Sequence, residues 1–178
     1  MSHTYRRPFN PDGVQACFIS FRCYGTWLHG DARGSVDRAG HNVWGTPLMP
    51  ADPRRCARER KALRQSLILL DEGARTLVDQ AIRQVCSHRH WILHALNVQD
   101  DHVHLVVTAS EEPELVMNSL KSWATRRLRQ EGRIPSGSRV WSRHGSTRWL
   151  WTQEQVGAAC AYVIEGQPWP PEMGWNPE

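Results

Sequence analysis

The sequence predicts an α+β fold, a ferredoxin-like βαββαβ antiparallel sheet with one extra C-terminal helix that carries a tyrosine. Three observations support this class. An apolar strand pattern near the N-terminus precedes a helix-forming stretch; two apolar runs separated by turn residues predict a hairpin; a helix, a strand and a last helix complete the order. The 178 residues suffice for one domain, for which we expect a core at 14–167 and a tail at 168–178.

The first half of the chain supplies the first strand and the first helical layer. Residues 14–24 are apolar at both alternating sets of positions and include aromatic and β-branched side chains, which is typical of a central strand. Residues 25–53 contain several glycines, and a loop of this length suggests a functional role. Residues 54–88 favour helix, and the pair Glu72-Gly73 predicts a break between two helices.

The middle of the chain predicts two paired strands and a second long helix. Residues 91–98 and 102–108 are apolar runs separated by three turn residues, which is the spacing of a β-hairpin. Pro113 suits the first turn of a helix, and apolar residues with helical spacing continue from there to Gly132. We therefore expect two adjacent antiparallel strands followed by a helix.

The last elements are a strand and the C-terminal helix. Residues 137–151 predict a final hairpin or strand, with a basic turn at residues 145–147. Thr152 and Gln155 have the spacing of a capping box, so they predict the start of the last helix. Gly166 is expected to end that helix, because glycine adopts the conformation that commonly follows a helix.

Composition and charge restrict the class of protein. The net charge of +4 comes mostly from arginine and weakly favours a polyanionic partner. The five cysteines are scattered among apolar residues, so we expect reduced core thiols and a cytoplasmic protein. No apolar run approaches the roughly 18 residues of a membrane span, and no export segment follows the N-terminal arginines.

The pair His102 and His104 is the strongest functional signal in the sequence. Side chains alternate along a strand, so both imidazoles lie on one face while Val103 and Leu105 lie on the other. Two histidines with this spacing form half of a metal site. The alternative is that they are surface residues of a half-buried strand, but their place in an otherwise apolar run favours coordination.

Tyr162 is the second candidate functional residue. On a helical projection of the last helix, the apolar stripe lies to one side of the tyrosine, so Tyr162 is not an obvious core residue. The alternative is an aromatic ring packed at the edge of that stripe. Glu165 lies on the same side of the helix as Tyr162, and Gln167 follows the expected helix end, so either residue could supply a third metal ligand.

The pair His102 and His104, followed by Tyr162 in the last helix, resembles the motif of the HUH single-tyrosine transposases. This insertion-sequence family includes the REP-associated tyrosine transposases. The similarity covers residues 14–167. Its strongest parts are the histidine strand at 97–107, the helix segment at 120–126 and the block at 141–163.

The resemblance implies metal-assisted cleavage and rejoining of single-stranded DNA. Tyr162 would attack a scissile phosphate, form a 5′-phosphotyrosine and release a 3′-hydroxyl. Mg²⁺ or Mn²⁺ would be held by His102, His104 and an oxygen ligand. Family members often have Asn or Gln four residues after the tyrosine as that ligand. Here the residue is Gly166, so either Glu165 or Gln167 substitutes or the metal site is poorer than usual.

Basic and aromatic side chains in the second half of the chain are the candidate DNA contacts. Trp149 or Trp151 could stack unpaired bases. The candidate phosphate-binding residues are Lys121, Arg126, Arg127, Arg129, Arg139, Arg143, His144 and Arg148. The expected partner is therefore single-stranded or hairpin DNA.

Two other functions remain open from the sequence. One is a non-catalytic nucleic-acid-binding protein on the same sheet, and the other is a metal-dependent hydrolase that uses the two histidines without the tyrosine. The oligomeric state is open as well, because the family that the sequence resembles includes dimers that exchange the tyrosine helix between subunits.

Overall fold

The computed structural model describes residues 13–35 and 49–165. Within this part of the chain the elements follow the predicted order, with four strands and four helices. The strands are β1 (Ala16–Cys23), β2 (Ile92–Val98), β3 (His102–Thr108) and β4 (Trp141–Leu150). The helices are α1 (Pro53–Lys61), α2 (Glu72–Arg89), α3 (Pro113–Gln130) and α4 (Gln153–Glu165).

The sheet has the strand order β2-β3-β1-β4, and every neighbouring pair is antiparallel. The two chain crossings that build it contain α2 and α3, and α4 follows the last strand. This is the ferredoxin-like arrangement with an extra C-terminal helix, so the predicted fold class is confirmed.

The two faces of the sheet are buried by different helices. On one face Val103, Leu105 and Val107 belong to a core that includes buried residues of α2 and α3. On the other face Phe18 and Val106 pack with α4 in a second, smaller core. The alternation of side chains along β3 places both histidines on one face, as the sequence predicts, and in the fold this is the face that α4 covers.

Local signals explain where the described helices begin. The Asp71 carboxylate accepts a hydrogen bond from the Ala74 amide at the start of α2. At the start of α4, Thr152 Oγ1 accepts from the Gln155 amide, while Gln155 Oε1 accepts from the Trp151 amide. The predicted capping pair is therefore confirmed, although glutamine reaches one residue further back than in the usual box.

The predicted helix break at Glu72-Gly73 is wrong, because α2 begins at Glu72. The break lies earlier, between α1 and α2, where the chain is held against the end of β1. The Ile68 amide donates to the Tyr24 carbonyl (2.9 Å) and the Leu70 amide donates to the Asp100 carbonyl (2.7 Å). These long-range hydrogen bonds compete with helix formation, and local sequence does not reveal them.

The predicted turn at residues 145–147 is also wrong, because β4 runs through them without interruption. Gly145 is required there by close approach rather than by a turn. A Cβ atom on Gly145 would lie 2.4 Å from Met117 Sδ and 2.5 Å from the Ser20 carbonyl oxygen. The glycine thus allows β4 to lie close to both its neighbour β1 and the helix α3.

All five cysteines lie in the described part of the chain as free thiols. Burial raises the pKa of Cys17 and Cys23 to about 12 and that of Cys86 to about 11. These three are core residues, as predicted. Among the helices of residues 13–35 and 49–165, none has the length and apolar character needed to cross a membrane.

Candidate active site and nucleic-acid interface

His102 and His104 form a compact pair on the face of β3 that α4 covers. Their ring centroids are 4.5 Å apart, with the rings at 66° to each other. The register of the sheet places Arg22 opposite His102 and Ser20 opposite His104 on β1. Two imidazoles at this separation could direct nitrogen atoms toward one ion.

Asp101 orients the first of these histidines. Its Oδ1 atom is in hydrogen-bond contact with His102 Nδ1, so the Nδ1–H group donates and Nε2 is the nitrogen left to face an ion. Burial opposes the charge on Asp101, but the hydrogen bond from His102 and the nearby arginines hold its pKa below the usual range. From the sequence, Asp101 was interpreted only as a turn residue. Its position directly before His102 could have indicated this orienting role, because carboxylates commonly hold metal-binding histidines in place.

His104 is neutral and is only 6% exposed. Burial, followed by the charges of His102 and Arg22, lowers its pKa to about 3. Its Nδ1 atom is buried and has no hydrogen-bond partner in the part of the chain that the structure describes. A neutral imidazole with an unsatisfied nitrogen is suited to metal coordination.

Tyr162 packs directly on His104. Its ring lies edge-on to His104 at 5.5 Å between centroids, and edge-on to Phe18 at 5.9 Å. The tyrosine is only 7% exposed and belongs to the second core. The prediction that it lies away from the apolar stripe is therefore wrong, but its ring does lie on the histidine face of the sheet, in contact with His104.

A polar contact holds the last turns of α4 on the sheet. Asn97, which lies opposite His104 on β2, donates from Nδ2 to the Val163 carbonyl oxygen at 2.9 Å. Gln99 in turn donates to Asn97 Oδ1 at 2.9 Å, which fixes the orientation of the amide. Sequence reasoning did not assign a role to Asn97, because only the folded sheet brings β2 under α4.

The predicted third metal ligand is not found among the described residues. Residues 13–35 and 49–165 contain no group of three His, Cys, Asp or Glu side chains that could hold a metal ion. Glu165 is exposed at the end of α4 and so does not complete a cluster with His102 and His104. Gln167 lies outside the described residues.

The sequence led us to expect Lys121 at the surface as a DNA contact. In the structure this residue of α3 is buried. The residue is only 7% exposed, and its Nζ donates to the carbonyl oxygens of Ser142 (3.1 Å) and His144 (3.2 Å). It also lies over the Phe21 ring, 5.4 Å from the centroid. Lys121 therefore joins α3 to β4, and burial lowers its pKa to about 8.

The other candidate DNA contacts divide between two sides of the sheet. Arg126, Arg127 and Arg129 are on α3, which packs on the face opposite the histidines. Arg148 lies opposite Phe18 in the register and so is on the histidine face, while Arg143 is an exposed residue of the same strand. The predicted basic cluster is thus not one continuous patch around the histidines.

A second arginine cluster surrounds Asp101, and the sequence analysis did not find it. Arg22 lies over the Trp27 ring, with Cζ 3.5 Å from the centroid, and Arg33 lies over the same ring at 4.7 Å. Each arginine pairs with Asp101 Oδ2 at 3.6 Å. The long loop thereby returns to the histidine site, which only the folded chain shows.

The donor set fits part of a divalent-metal site. His102 is oriented through Nδ1 by a carboxylate, and His104 is neutral with an unsatisfied nitrogen. Together they could supply two imidazole ligands, to which oxygen ligands from water or substrate could be added.

A family comparison identifies the group to which this site belongs. The family model described as “Transposase IS200 like” matches residues 61–155, which is more than half of the chain. The chain belongs to the IS200-like transposase family. The matched segment contains His102 and His104 and ends before Tyr162. The family resemblance predicted from the sequence is therefore confirmed.

Two solved structures are similar to this IS200-like transposase. One is a REP-associated tyrosine transposase bound to a REP hairpin, with 14% identity, 98% of this chain and 76% of that chain covered, and a TM-score of 0.48. The other is a crystal structure from Deinococcus radiodurans R1 that is described as a transposase, with 15% identity, 93% and 98% covered, and a TM-score of 0.44. No curated protein matches the chain.

The buried neutral state of His104 predicts a pH dependence of stability in this transposase. The pKa is about 3 in the folded chain and about 6.5 when unfolded, so the unfolded state binds the extra proton between these values. The free energy of unfolding should be highest above pH 6.5 and fall as the pH decreases toward 3, by up to about 1.4 kcal/mol per pH unit from this residue.

Urea unfolding at several pH values with EDTA present measures this effect. His104→Phe keeps a ring against Phe18 and should remove this part of the slope. His94→Phe, at an exposed position on β2, should keep it. Equal slopes for wild type and His104→Phe would contradict the assignment.

Proposed function

We propose that this transposase cleaves and rejoins single-stranded or hairpin DNA through a covalent phosphotyrosine at Tyr162. Membership of the family establishes transposase-like DNA processing, and the site suggests how it occurs. The observation that carries the proposal is the meeting of three rings on one sheet face, with His104 between His102 and Tyr162. Tyr162 thus lies against one imidazole of the pair, and that imidazole contacts the other.

The proposed reaction exchanges one phosphodiester for another. A bond forms between Tyr162 Oη and the phosphorus atom, and the bond from phosphorus to the 3′ oxygen breaks. The phenol proton passes to solvent and the leaving 3′ oxygen takes up a proton, which gives a 5′-phosphotyrosine and a 3′-hydroxyl. A second 3′-hydroxyl reverses these steps, so the joining reaction needs no external energy source.

Deprotonation of the tyrosine is the main energetic obstacle. A free phenol has a pKa near 10, so forming the phenolate at pH 7 costs about 4 kcal/mol. His102 and His104 would hold Mg²⁺ or Mn²⁺ beside the phenol, with Asp101 fixing the orientation of His102. When bound, the ion would stabilise charge on the phosphate and orient it for in-line attack.

We propose DNA contacts on both faces of the sheet, the face covered by α4 and the face covered by α2 and α3. Arg148 on β4, which lies on the histidine face, is proposed to bind the strand that enters the site, and the exposed Trp151 is available to stack an unpaired base. Arg143 is exposed on the same strand and is proposed to contact the DNA backbone. Arg126, Arg127 and Arg129 on α3 are proposed to contact DNA on the opposite side. Lys121 is left out of this set because its ammonium group is occupied by backbone carbonyls. A homodimer stays a prediction.

The test is a covalent capture assay. Labelled single-stranded oligonucleotides with the flanks of the protein's own gene are incubated with the protein and Mn²⁺, then separated on a denaturing gel. A shifted band whose crosslinked peptide contains Tyr162 supports the proposal. DNA binding without any adduct would contradict it and favour the non-catalytic binding protein, whereas cleavage without an adduct would favour a metal-dependent hydrolase.

Asp101→Asn should weaken the proposed metal site without removing a ligand. The amide no longer holds the His102 ring as an ionised acceptor, so Mn²⁺ affinity should fall by about 10- to 100-fold. Isothermal titration with Mn²⁺ measures the change. Asp79→Asn, which breaks an exposed ion pair on α2, is the matched control and should bind Mn²⁺ as the wild type does.

A further inference from the structure

Arg22 has an unusual position for an arginine on a central strand. It lies on the histidine face of β1, directly opposite His102 in the register. Its side chain is only 17% exposed. Burying a charged side chain costs free energy unless the charge is paired or hydrogen-bonded, so arginine is rare at such a position. Arg22 therefore lies on the same face of the sheet as the two imidazoles.

The guanidinium is held in place by an aromatic ring and a carboxylate. Trp27 supports it at 3.5 Å, and Asp101 Oδ2 lies 3.6 Å from Nη1, which is an ion pair longer than a hydrogen bond. Within residues 13–35 and 49–165, no hydrogen bond donated by the Arg22 side chain is found. Arg33 differs, since it donates to both carboxylate oxygens of Asp31 and to the Thr26 carbonyl.

Tyr162 lies within the electrostatic range of this arginine. Burial lowers the pKa of Arg22 to about 10, while Asp101 and Tyr162 act in the opposite direction and Arg33 lowers it further. The group is still a cation at neutral pH. Negative charge on the phenol oxygen or on a phosphate beside it would therefore interact favourably with Arg22.

We propose that Arg22 is a further catalytic residue, whose guanidinium binds the non-bridging oxygens of the scissile phosphate between His102 and Tyr162. This inference rests on the proposed function. The planar guanidinium matches two phosphate oxygens, and Trp27 orients it before DNA arrives. As the bond from Tyr162 Oη to phosphorus forms and the bond to the 3′ oxygen breaks, Arg22 stabilises the charge on the phosphate oxygens.

Single-turnover cleavage of a saturating single-stranded substrate, with Mn²⁺ saturating, tests this role. Arg22→Ala should form the adduct about 100-fold more slowly than wild type, as is found when one charge-stabilising donor is removed. Arg22→Lys should be intermediate, because it keeps the charge and loses the two-pronged geometry. Arg83→Lys, at an exposed position on α2, should match the wild type.

Two further measurements separate this role from a structural one. If Arg22 acts on the phosphate, Mn²⁺ affinity should be unchanged in Arg22→Ala, and added guanidinium ions should restore part of the lost rate. If it acts only by holding Asp101 and His102, Mn²⁺ affinity should fall and guanidinium should not help, which would overturn the proposal. Thermal melting confirms that each variant is folded.

The outcomes also separate this proposal from the proposed function. Adduct formation by Arg22→Ala at the wild-type rate would overturn the role of Arg22 and leave the tyrosine mechanism intact. Failure of the wild type to form any adduct would overturn both, because Arg22 would then have no transfer reaction to assist.

Discussion

Tyr162→Phe is expected to abolish the covalent protein–DNA adduct while leaving DNA affinity nearly unchanged. The substitution removes the phenol oxygen that would bond to phosphorus, so adduct formation should fall by more than about 10⁴-fold. The aromatic ring remains, and with it the edge-on contacts to His104 and Phe18, so the second core should stay packed. Denaturing gels measure the adduct, and fluorescence anisotropy with a labelled oligonucleotide measures affinity.

The same adduct assay shows whether Tyr162 is the correct nucleophile. If Tyr162→Phe still forms an adduct, another residue attacks the phosphate, and Tyr24 is the next candidate. In the structure Tyr24 Oη accepts a hydrogen bond from the Arg64 amide at 3.1 Å. Tyr24→Phe should therefore be fully active if the assignment to Tyr162 is correct, and this variant serves as the matched control.

His104→Phe is expected to have the second largest effect. Phenylalanine keeps a ring between Phe18 and Tyr162 but has no nitrogen, so half of the imidazole pair is lost. We expect Mn²⁺ affinity to fall at least about 100-fold, more than for a residue that only orients a ligand, and cleavage to fall with it. Titration with Mn²⁺ and the single-turnover cleavage rate measure the two effects.

The control for this variant is a histidine outside the site. His94 is exposed on β2 and is bonded to Thr108, so His94→Phe should leave metal binding and cleavage unchanged. If His104→Phe binds Mn²⁺ as tightly as wild type, the two imidazoles do not form the metal site. His102→Ala then shows whether either ring coordinates the ion.

Several elements were predictable because their causes are local. Alternation along β3 placed His102 and His104 on one face and the valines on the other. The turn residues between β2 and β3 predicted the hairpin, and Thr152 with Gln155 predicted the start of α4. Each of these depends on side-chain periodicity or on backbone hydrogen bonds within a few residues.

Other features depend on contacts that no local pattern records. Lys121 has the sequence character of an exposed helix residue, yet two carbonyls of β4 receive its ammonium group and allow burial. Tyr162 lies beside the apolar stripe on a helical projection, yet the way α4 rests on the sheet turns it into the core. Both outcomes depend on the partner element: the carbonyls of β4 satisfy the Lys121 ammonium group, and the sheet supplies the apolar surface against which the Tyr162 ring packs.

The amino-acid sequence by itself determined the order of the elements, the face of β3 that carries the histidines, and the family resemblance. Only the tertiary structure decided which residues join them: Asp101 and Arg22 meet at His102, Tyr162 rests on His104, and the basic residues divide between two layers. The reason is physical. Strand and helix patterns follow from neighbours along the chain, whereas the site is built by the register between distant strands, which brings β1, β3 and α4 to one point.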